Sequence, residues 1–218
     1  MKNCIQIFLK FIILISFLFV ASCDQKNESE KKASSENLEN DQKVLLDSIK
    51  RISEGDENAK ITIIAYESLT CGHCADFHKN VYPDLKKDFI DKGLLKIEFR
   101  HFPLDIAAFN ASKIGQCNND GSSDLLHKLY SGQKKWAKGN TPDKATKNLK
   151  KFLMDGGINL DFEKCLSDKN IEDYVLNDRI EGVKKFKVNA TPTIIINDKK
   201  FDKPLNYKNL KKYLEKLI

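Results

Sequence analysis

Short apolar runs predict the strands of a central sheet. Residues 61–66 read Ile-Thr-Ile-Ile-Ala-Tyr, and this β-branched run is typical of a strand that is buried on both faces. Residues 94–100 predict a second strand. Residues 193–197 and 200–202 flank Asn197-Asp198-Lys199, which is a turn signal, so they predict a hairpin near the end of the chain.

An amphipathic helix is predicted to follow the first strand. Its apolar residues recur every four positions after Cys74, at Phe77, Val81, Leu85 and Phe89. Pro83 lies within this stretch. We expect it to kink the helix, because proline lacks the N–H group that the preceding turn would bond.

The pattern between the second and third strands is helical almost throughout. One of these helices is expected to carry an apolar face that packs in the core. This face is formed by Ile106, Phe109, Ile114 and Cys117. A closing helix is predicted after Asn206. The whole pattern predicts an α/β domain, residues 44–104 and 181–218, that is interrupted by an inserted helical domain, residues 105–180.

Residues 1–22 have the pattern of a signal peptide. Lys2 precedes an apolar stretch, residues 11–20, which is too short for a comfortable membrane span. The segment Val20-Ala21-Ser22-Cys23 resembles a bacterial lipobox, in which Cys23 would be the lipidated first residue of the mature chain. An ordinary cleaved signal and an uncleaved anchor are the alternatives.

Residues 23–43 predict a flexible tether, because they are polar and contain almost nothing that could be buried. Together with the signal, this segment predicts a periplasmic domain that is anchored to the membrane through the lipid on Cys23. The periplasm is oxidising, so cysteine pairs can persist there.

Composition and charge exclude several classes of protein. With 218 residues, 41% of them hydrophobic and 31% charged, the chain is neither a polytopic membrane protein nor wholly disordered. The formal charge of +6 comes from lysines that are scattered among acidic residues. Arginine occurs only at Arg51, Arg100 and Arg179, so we expect no binding to nucleic acid.

Two of the six cysteines, Cys4 and Cys23, lie in or next to the signal, which leaves four for the domain. Of these four, Cys117 and Cys165 both fall on predicted helices of the insertion. In an oxidising compartment we expect them to form a structural disulfide that constrains the unfolded chain, and two buried free thiols are the alternative.

The other two cysteines form a C-x-x-C motif. A zinc site would need a second such pair or suitably spaced histidines, which the chain lacks, so no metal is expected. A structural staple and a redox-active pair remain. Cys71 follows a predicted strand and opens a predicted helix, where free N–H groups and the helix dipole stabilise a thiolate. His73 would add a donor close to this sulfur and, like Gly72, tune a redox-active Cys71–Cys74 pair.

The second half of such a site is predicted at Thr191-Pro192, immediately before the third strand. A trans proline can open a strand. A cis Thr191–Pro192 bond beside the C-x-x-C is the alternative, and the presence of the upstream dithiol favours it.

Four segments of the chain resemble the bacterial DsbA-like disulfide oxidoreductases of the thioredoxin superfamily, and the chain looks like an alphaproteobacterial-type lipoprotein member of that family. The similar segments are residues 67–78, residues 100–105, the pair Gln133 and Trp136, and residues 186–193. The resemblance implies a thioredoxin-like fold with an inserted α-helical domain. It also implies that Cys71 and Cys74 are catalytic, that Thr191 and Pro192 bind substrate, and that no cofactor is needed beyond the Cys71–Cys74 disulfide.

The resemblance further implies an enzyme that introduces disulfide bonds into exported proteins. Its partners would be unfolded or reduced exported proteins and a quinone-linked integral-membrane protein that reoxidises the cysteine pair, and we expect a monomer. Gly72 and Thr191 differ from the strongest oxidases of the family, which also allows a periplasmic reductase or isomerase. A lipid-anchored binding or chaperone protein with a structural C-x-x-C is a third hypothesis.

Overall fold

The computed structural model describes Val44 and residues 48–218. The predicted signal peptide, the lipobox with Cys23 and the predicted tether lie outside these residues. Residues 48–218 belong to a single structural unit.

The centre of the described chain is a mixed sheet of five strands in the order β1-β3-β2-β4-β5. The strands are β1 (Ser53–Glu54), β2 (Ile61–Glu67), β3 (Leu95–His101), β4 (Thr193–Ile196) and β5 (Lys199–Lys200). β2 and β3 are parallel, and the remaining neighbours are antiparallel. The carboxyl ends of β2 and β3 therefore meet at one edge, where Glu67 is paired with His101.

Three consecutive helical segments replace the single kinked helix that was expected after β2. They are α1 (Gly72–Asn80), α2 (Tyr82–Leu85) and a π-helical turn (Lys86–Ile90). The break lies at Val81, whose φ of −122° is not helical. Pro83 explains its position, because a proline two residues later cannot donate to the carbonyl of the preceding turn.

Six helices lie between β3 and β4. They are α3 (Ile106–Gln116), α4 (Asp124–Ser131), α5 (Gln133–Trp136), α6 (Pro142–Asp155), α7 (Phe162–Ser167) and α8 (Lys169–Phe186). A last helix, α9 (Tyr207–Leu214), begins after Asn206, whose side chain accepts a hydrogen bond from the N–H of Asn209. This arrangement confirms the predicted fold class, an α/β fold with a helical insertion.

Trp136 packs at the centre of the insertion. Its ring is fully buried, and its Nε1 donates a hydrogen bond of 2.8 Å to the carbonyl of Leu129. Ile106, in contrast, was wrongly predicted to be part of a buried face, since 62% of it is exposed. It is the first residue of α3, and side chains there lean toward the open end of the helix rather than over its packed turns.

A buried carboxylate joins α8 to the sheet. Asp178 is 1% exposed and accepts the backbone N–H of His101 at 3.0 Å. It also forms an ion pair with Arg51, and Arg100 lies 3.7 Å from the same carboxylate. Because these partners come from β3 and the segment before β1, Asp178 fixes the insertion's longest helix against the sheet.

Gly182 of α8 allows the helix to lie directly against Tyr66 of β2. A Cβ added at this position would lie 2.7 Å from Cε1 of Tyr66, whose ring is fully buried. We expect Gly182→Ala to lower the free energy of unfolding by about 1–3 kcal/mol, because an overfilled core must shift to relieve the contact. Urea denaturation measures this change.

Gly115 of α3 provides the matched control, since a Cβ there would meet Leu129 at an ordinary distance of 3.5 Å. Gly115→Ala is expected to leave stability unchanged or to raise it by up to about 1 kcal/mol, as alanine favours the helix. Equal stability of both variants would contradict the packing argument.

Candidate active site

Cys71 lies where β2 leads into α1. It is the N-cap residue of α1, with an extended backbone, and its sulfur is partly exposed. Cys74 lies one turn later and is fully buried. Both thiols are free, so the structure shows the dithiol state of the pair.

The surroundings of Cys71 favour its thiolate and lower the pKa of the thiol to about 5. The largest cause is a hydrogen bond from the thiol of Cys74, and burial opposes it. Thr191 and the backbone N–H groups of His73 and Cys74 lower the pKa further. Donors of this kind stabilise the charged form, so the helix N-terminus acts here as the sequence analysis expected.

The contribution of His73 differs from the expected one. Its backbone N–H supports the Cys71 sulfur, whereas its side chain is exposed and lines the groove beside the site.

The surroundings of Cys74 favour its neutral thiol, in contrast to those of Cys71. Burial raises the pKa of its thiol far above the ordinary range, and the hydrogen bond to Cys71 and the negative charge of Glu67 raise it further. The two sulfurs thus form an asymmetric pair, in which Cys71 is stable as a thiolate and Cys74 is stable only as a thiol or in a disulfide.

This asymmetry predicts the pH dependence of alkylation. In the reduced protein, reaction of Cys71 with iodoacetamide is expected to rise with pH around a midpoint near 5, because only the thiolate reacts. A Cys74→Ala variant should have a higher midpoint, since it lacks the largest stabilising hydrogen bond. A midpoint near 8.5, the value of an ordinary thiol, would contradict the prediction.

The same shift has a consequence for stability. Because the pKa of Cys71 is lower in the folded protein than in the unfolded chain, ionisation stabilises the folded dithiol form. This stabilisation is complete above the unfolded pKa, about 8.5, and is lost as the pH falls through about 5. Comparing reduced wild type with Cys71→Ala across this range isolates the effect.

The segment before β4 faces the Cys71 sulfur. The Thr191–Pro192 bond is cis. Sγ of Cys71 donates a hydrogen bond of 3.3 Å to the carbonyl oxygen of Thr191. Oγ1 of Thr191 is buried and has no hydrogen-bond partner. The structure therefore brings together both segments that the sequence analysis singled out.

The insertion contacts the active-site loop through Gln133. Its Nε2 donates hydrogen bonds of 2.9 Å to the carbonyl oxygens of Leu69 and Cys71. From the other side, Asp105 accepts a hydrogen bond of 2.7 Å from the hydroxyl of Thr70. These contacts hold the loop before Cys71, and the spacing of the residues in the sequence does not reveal them.

A groove of about 430 Å³ opens beside the two segments. Its lining includes His73, Phe77, Pro192, Leu205 and Tyr207. Gly72 at the start of α1 faces open space, since an added Cβ would have no atom within 4 Å. An extended chain could thus approach Cys71 without obstruction.

Cys117 and Cys165 are joined by a disulfide that links the end of α3 to α7. In the part of the chain that the structure describes, no cluster of three or more potential ligands could hold a metal ion. None of the helices described is long and apolar enough to span a bilayer.

Glu67 is a further residue of the site to which the sequence analysis gave no role. It ends β2, is 4% exposed, and its charge acts on Cys74. A carboxylate directly after an apolar strand is a signal that could have identified it, because buried charges need a partner or a function.

Comparisons with known proteins agree with this geometry. A family model described as thioredoxin matches residues 47–216. A putative protein-disulfide oxidoreductase of Rickettsia bellii is 29% identical over 150 residues, which cover 66% of this chain and 55% of the relative. The chain thus spans about half the length of that relative. Disulfide bond formation protein D of Bacillus subtilis is 28% identical, with 74% of each protein covered.

A solved structure of a DsbA protein is also similar to this chain. The crystal structure of Wolbachia pipientis alpha-DsbA1 is similar with a TM-score of 0.68 and 30% sequence identity, covering 77% of this chain and 90% of that one. The family match extends over most of the chain, and the resemblance drawn from the motifs is confirmed. The chain belongs to the thioredoxin family and, within it, to the DsbA-like disulfide oxidoreductases.

Proposed function

We propose that this protein introduces disulfide bonds into exported proteins by exchange at Cys71 and Cys74. The observation that carries the proposal is the asymmetric thiol pair, in which a partly exposed sulfur is stable as a thiolate beside a buried sulfur that is not. The names of the relatives, a disulfide oxidoreductase and a disulfide bond formation protein, support it.

The reaction begins with the disulfide form. A substrate thiolate attacks Sγ of Cys71, the Cys71–Cys74 bond breaks, and Cys74 leaves with the electron pair. A second substrate thiolate then attacks the substrate sulfur of the mixed disulfide, and Cys71 leaves as a thiolate. Two electrons have passed from the substrate dithiol to the enzyme. The low pKa of Cys71, about 5, makes it a good leaving group.

Substrate binding is assigned to the segment around the cis proline. Thr191 and Pro192 would present backbone groups to an extended substrate, and the groove beside them would accept its side chains. Gly72 lets the substrate backbone come close to Cys71, and together with His73 it would tune the reduction potential.

The setting of the reaction is also a proposal. Residues 1–22 would direct export, and residues 23–43 would tether the periplasmic domain to a lipid on Cys23. Residues 44–104 and 181–218 would form the thioredoxin-like domain, and residues 105–180 the insertion. A monomer would be reoxidised by a quinone-linked integral-membrane partner, and the tether would raise the effective concentration for that encounter.

The reduction potential of the Cys71–Cys74 couple tests the direction of the reaction. It can be measured in glutathione buffers by counting alkylated thiols after an acid quench. A value near about −120 mV, as in DsbA, would support an oxidase. A value near about −270 mV, as in thioredoxin, would support a reductase, the alternative that Gly72 and Thr191 allow. A Cys71 that resists reduction and alkylation would instead indicate a structural pair.

A further inference from the structure

The groove beside the active site carries an unpaired negative charge. Asp76 lines this groove together with Thr191, whose carbonyl oxygen faces the Cys71 sulfur. The side chain of Asp76 is exposed and forms no hydrogen bond or ion pair with any residue that the structure describes. Among the described residues that line the groove, Asp76 is the only carboxylate, and none is a lysine or an arginine. The wall of the groove therefore lacks a permanent positive charge that could neutralise it.

The walls around this carboxylate are largely apolar. Phe77 of α1 and Val81, the residue that follows α1, form one side and are almost completely buried. Leu205 and Tyr207, the first residue of α9, also line the groove. A substrate side chain that enters this groove would thus pack its stem on apolar surface and bring its end to the carboxylate of Asp76.

This combination favours a long basic side chain. An apolar side chain would cover the walls but would also remove water from the carboxylate without pairing with it, which costs free energy. An acidic side chain would be repelled. Lysine and arginine pack their aliphatic stems on apolar surface and keep the charged end in a polar environment, so they satisfy both the walls and the charge.

The spacing along α1 suits a substrate residue near the reacting cysteine. Asp76 follows Cys71 by five residues, which corresponds to a rise of about 7.5 Å along a helix. In an extended chain, the residues two before and two after a cysteine lie on the same side as its sulfur, about 6.8 Å away. The two distances are similar, and a lysine stem adds reach. A basic side chain at such a position can therefore contact Asp76 while the substrate sulfur lies at Cys71.

We propose that Asp76 is a specificity-determining residue that favours substrates with a lysine or arginine two residues from the reacting cysteine. The inference rests on the proposed function, because it names the class of substrate segment that the same groove accepts. It assigns Asp76 a role in selecting the substrate and none in the exchange of electrons.

The test uses capped peptides that contain a single cysteine, with lysine, glutamine or glutamate two residues before or after it. Each peptide opens the Cys71–Cys74 disulfide of the full chain at pH 7 and low salt. The peptide thiolate bonds to Sγ of Cys71, and Cys74 takes the electron pair of the broken S–S bond and a proton from water. Acid quench and alkylation then count the opened disulfides over time.

A comparison of two proteins removes the main ambiguity. A nearby lysine also makes the peptide thiol more acidic, so the ratio of lysine to glutamine rates is measured for the wild type and for Asp76→Asn. The quotient of these ratios cancels the reactivity of the peptide and that of the protein. We expect a quotient of about 3, the effect of a favourable exposed ion pair.

Two further variants make the test sharper. Asp76→Lys should reverse the preference, so that the glutamate peptide reacts faster relative to the lysine peptide. Asp84→Asn is the matched control, since Asp84 is an exposed aspartate of α2 that does not line the groove. It should keep the ratio of the wild-type protein.

The outcomes separate this inference from the proposed function. A quotient of about 3 at either peptide position, which falls toward 1 at about 1 M salt, supports the role of Asp76. Equal ratios in wild type and Asp76→Asn at both positions overturn it. A lysine preference that survives in Asp76→Lys, or that Asp84→Asn also removes, overturns it as well. If no peptide opens the disulfide of the wild-type protein, the proposed function fails, and the inference fails with it.

Discussion

A Cys71→Ser variant is expected to lose disulfide-exchange activity completely. At pH 7 a thiol with a pKa of about 5 is roughly 99% thiolate, whereas a serine hydroxyl stays protonated and cannot form a mixed disulfide. Turnover with reduced, unfolded ribonuclease A as substrate and oxidised glutathione as the oxidant should fall to the uncatalysed rate. The measurement follows the loss of substrate thiols after an acid quench.

Cys74→Ser is the matched variant, and it should behave differently. Cys71 remains reactive, but the buried partner that would displace a bound substrate from the mixed disulfide is missing. With ribonuclease A whose disulfides are scrambled as the substrate, the Cys71 thiolate attacks a substrate disulfide and releases one substrate thiolate. Covalent complexes should therefore accumulate, and non-reducing electrophoresis would detect them. Residual turnover in Cys71→Ser, or trapped complexes in that variant, would show that another sulfur carries the exchange.

Removal of the second disulfide should have a large effect on stability. The Cys117–Cys165 bond closes a loop with a sequence separation of 48 residues. Opening it restores conformational freedom to the unfolded chain, which corresponds to about 4 kcal/mol for a loop of this length. We expect the double variant Cys117→Ala/Cys165→Ala to lose about this amount in urea denaturation.

The pH dependence of Cys71 alkylation provides the control for this experiment. The disulfide links α3 to α7 and takes no part in the hydrogen bonds that surround Cys71. The folded double variant should therefore keep the alkylation midpoint of the wild-type protein. A loss of less than about 1 kcal/mol would mean that the helices of the insertion hold the unfolded chain together without the bond.

The central strands were predictable because their signal is local. Residues 61–66 are rich in β-branched residues, whereas residues 95–100 alternate apolar and charged side chains. β2 and β3 lie within one residue of the predicted limits. β1 was not predicted, since a strand of two residues is defined by its pairing with β3 and leaves no period in the sequence. The break at Val81 was also not located, because the apolar spacing continues through it.

In the candidate site, too, local features could be predicted from the sequence and long-range contacts could not. The position of Cys71 at a helix N-terminus follows from the order of strand, motif and helix. Its contact with Thr191 joins residues separated by 120 positions, and only the upstream dithiol and the family resemblance suggested it.

Hydrogen bonds join Glu67, His78, His127 and Glu54 in a row. This row was not predicted, because its members lie on β2, α1, α4 and β1. One signal was present, since His78 follows Cys74 by four residues and shares its buried helix face. Residues of this kind, far apart in sequence and polar within an apolar core, become visible only when tertiary contacts are known.

The residue at position 72 can change during evolution without disturbing the packing of the fold. Gly72 is one of the two residues between Cys71 and Cys74, and it faces open space. It is also the first residue of α1, a position where even proline is tolerated. Its replacement would leave the packed interior as it is while altering the electrical surroundings of the neighbouring sulfur. A lineage could thus change the reduction potential of the pair by single codon changes at this position, without a second mutation to repair the scaffold.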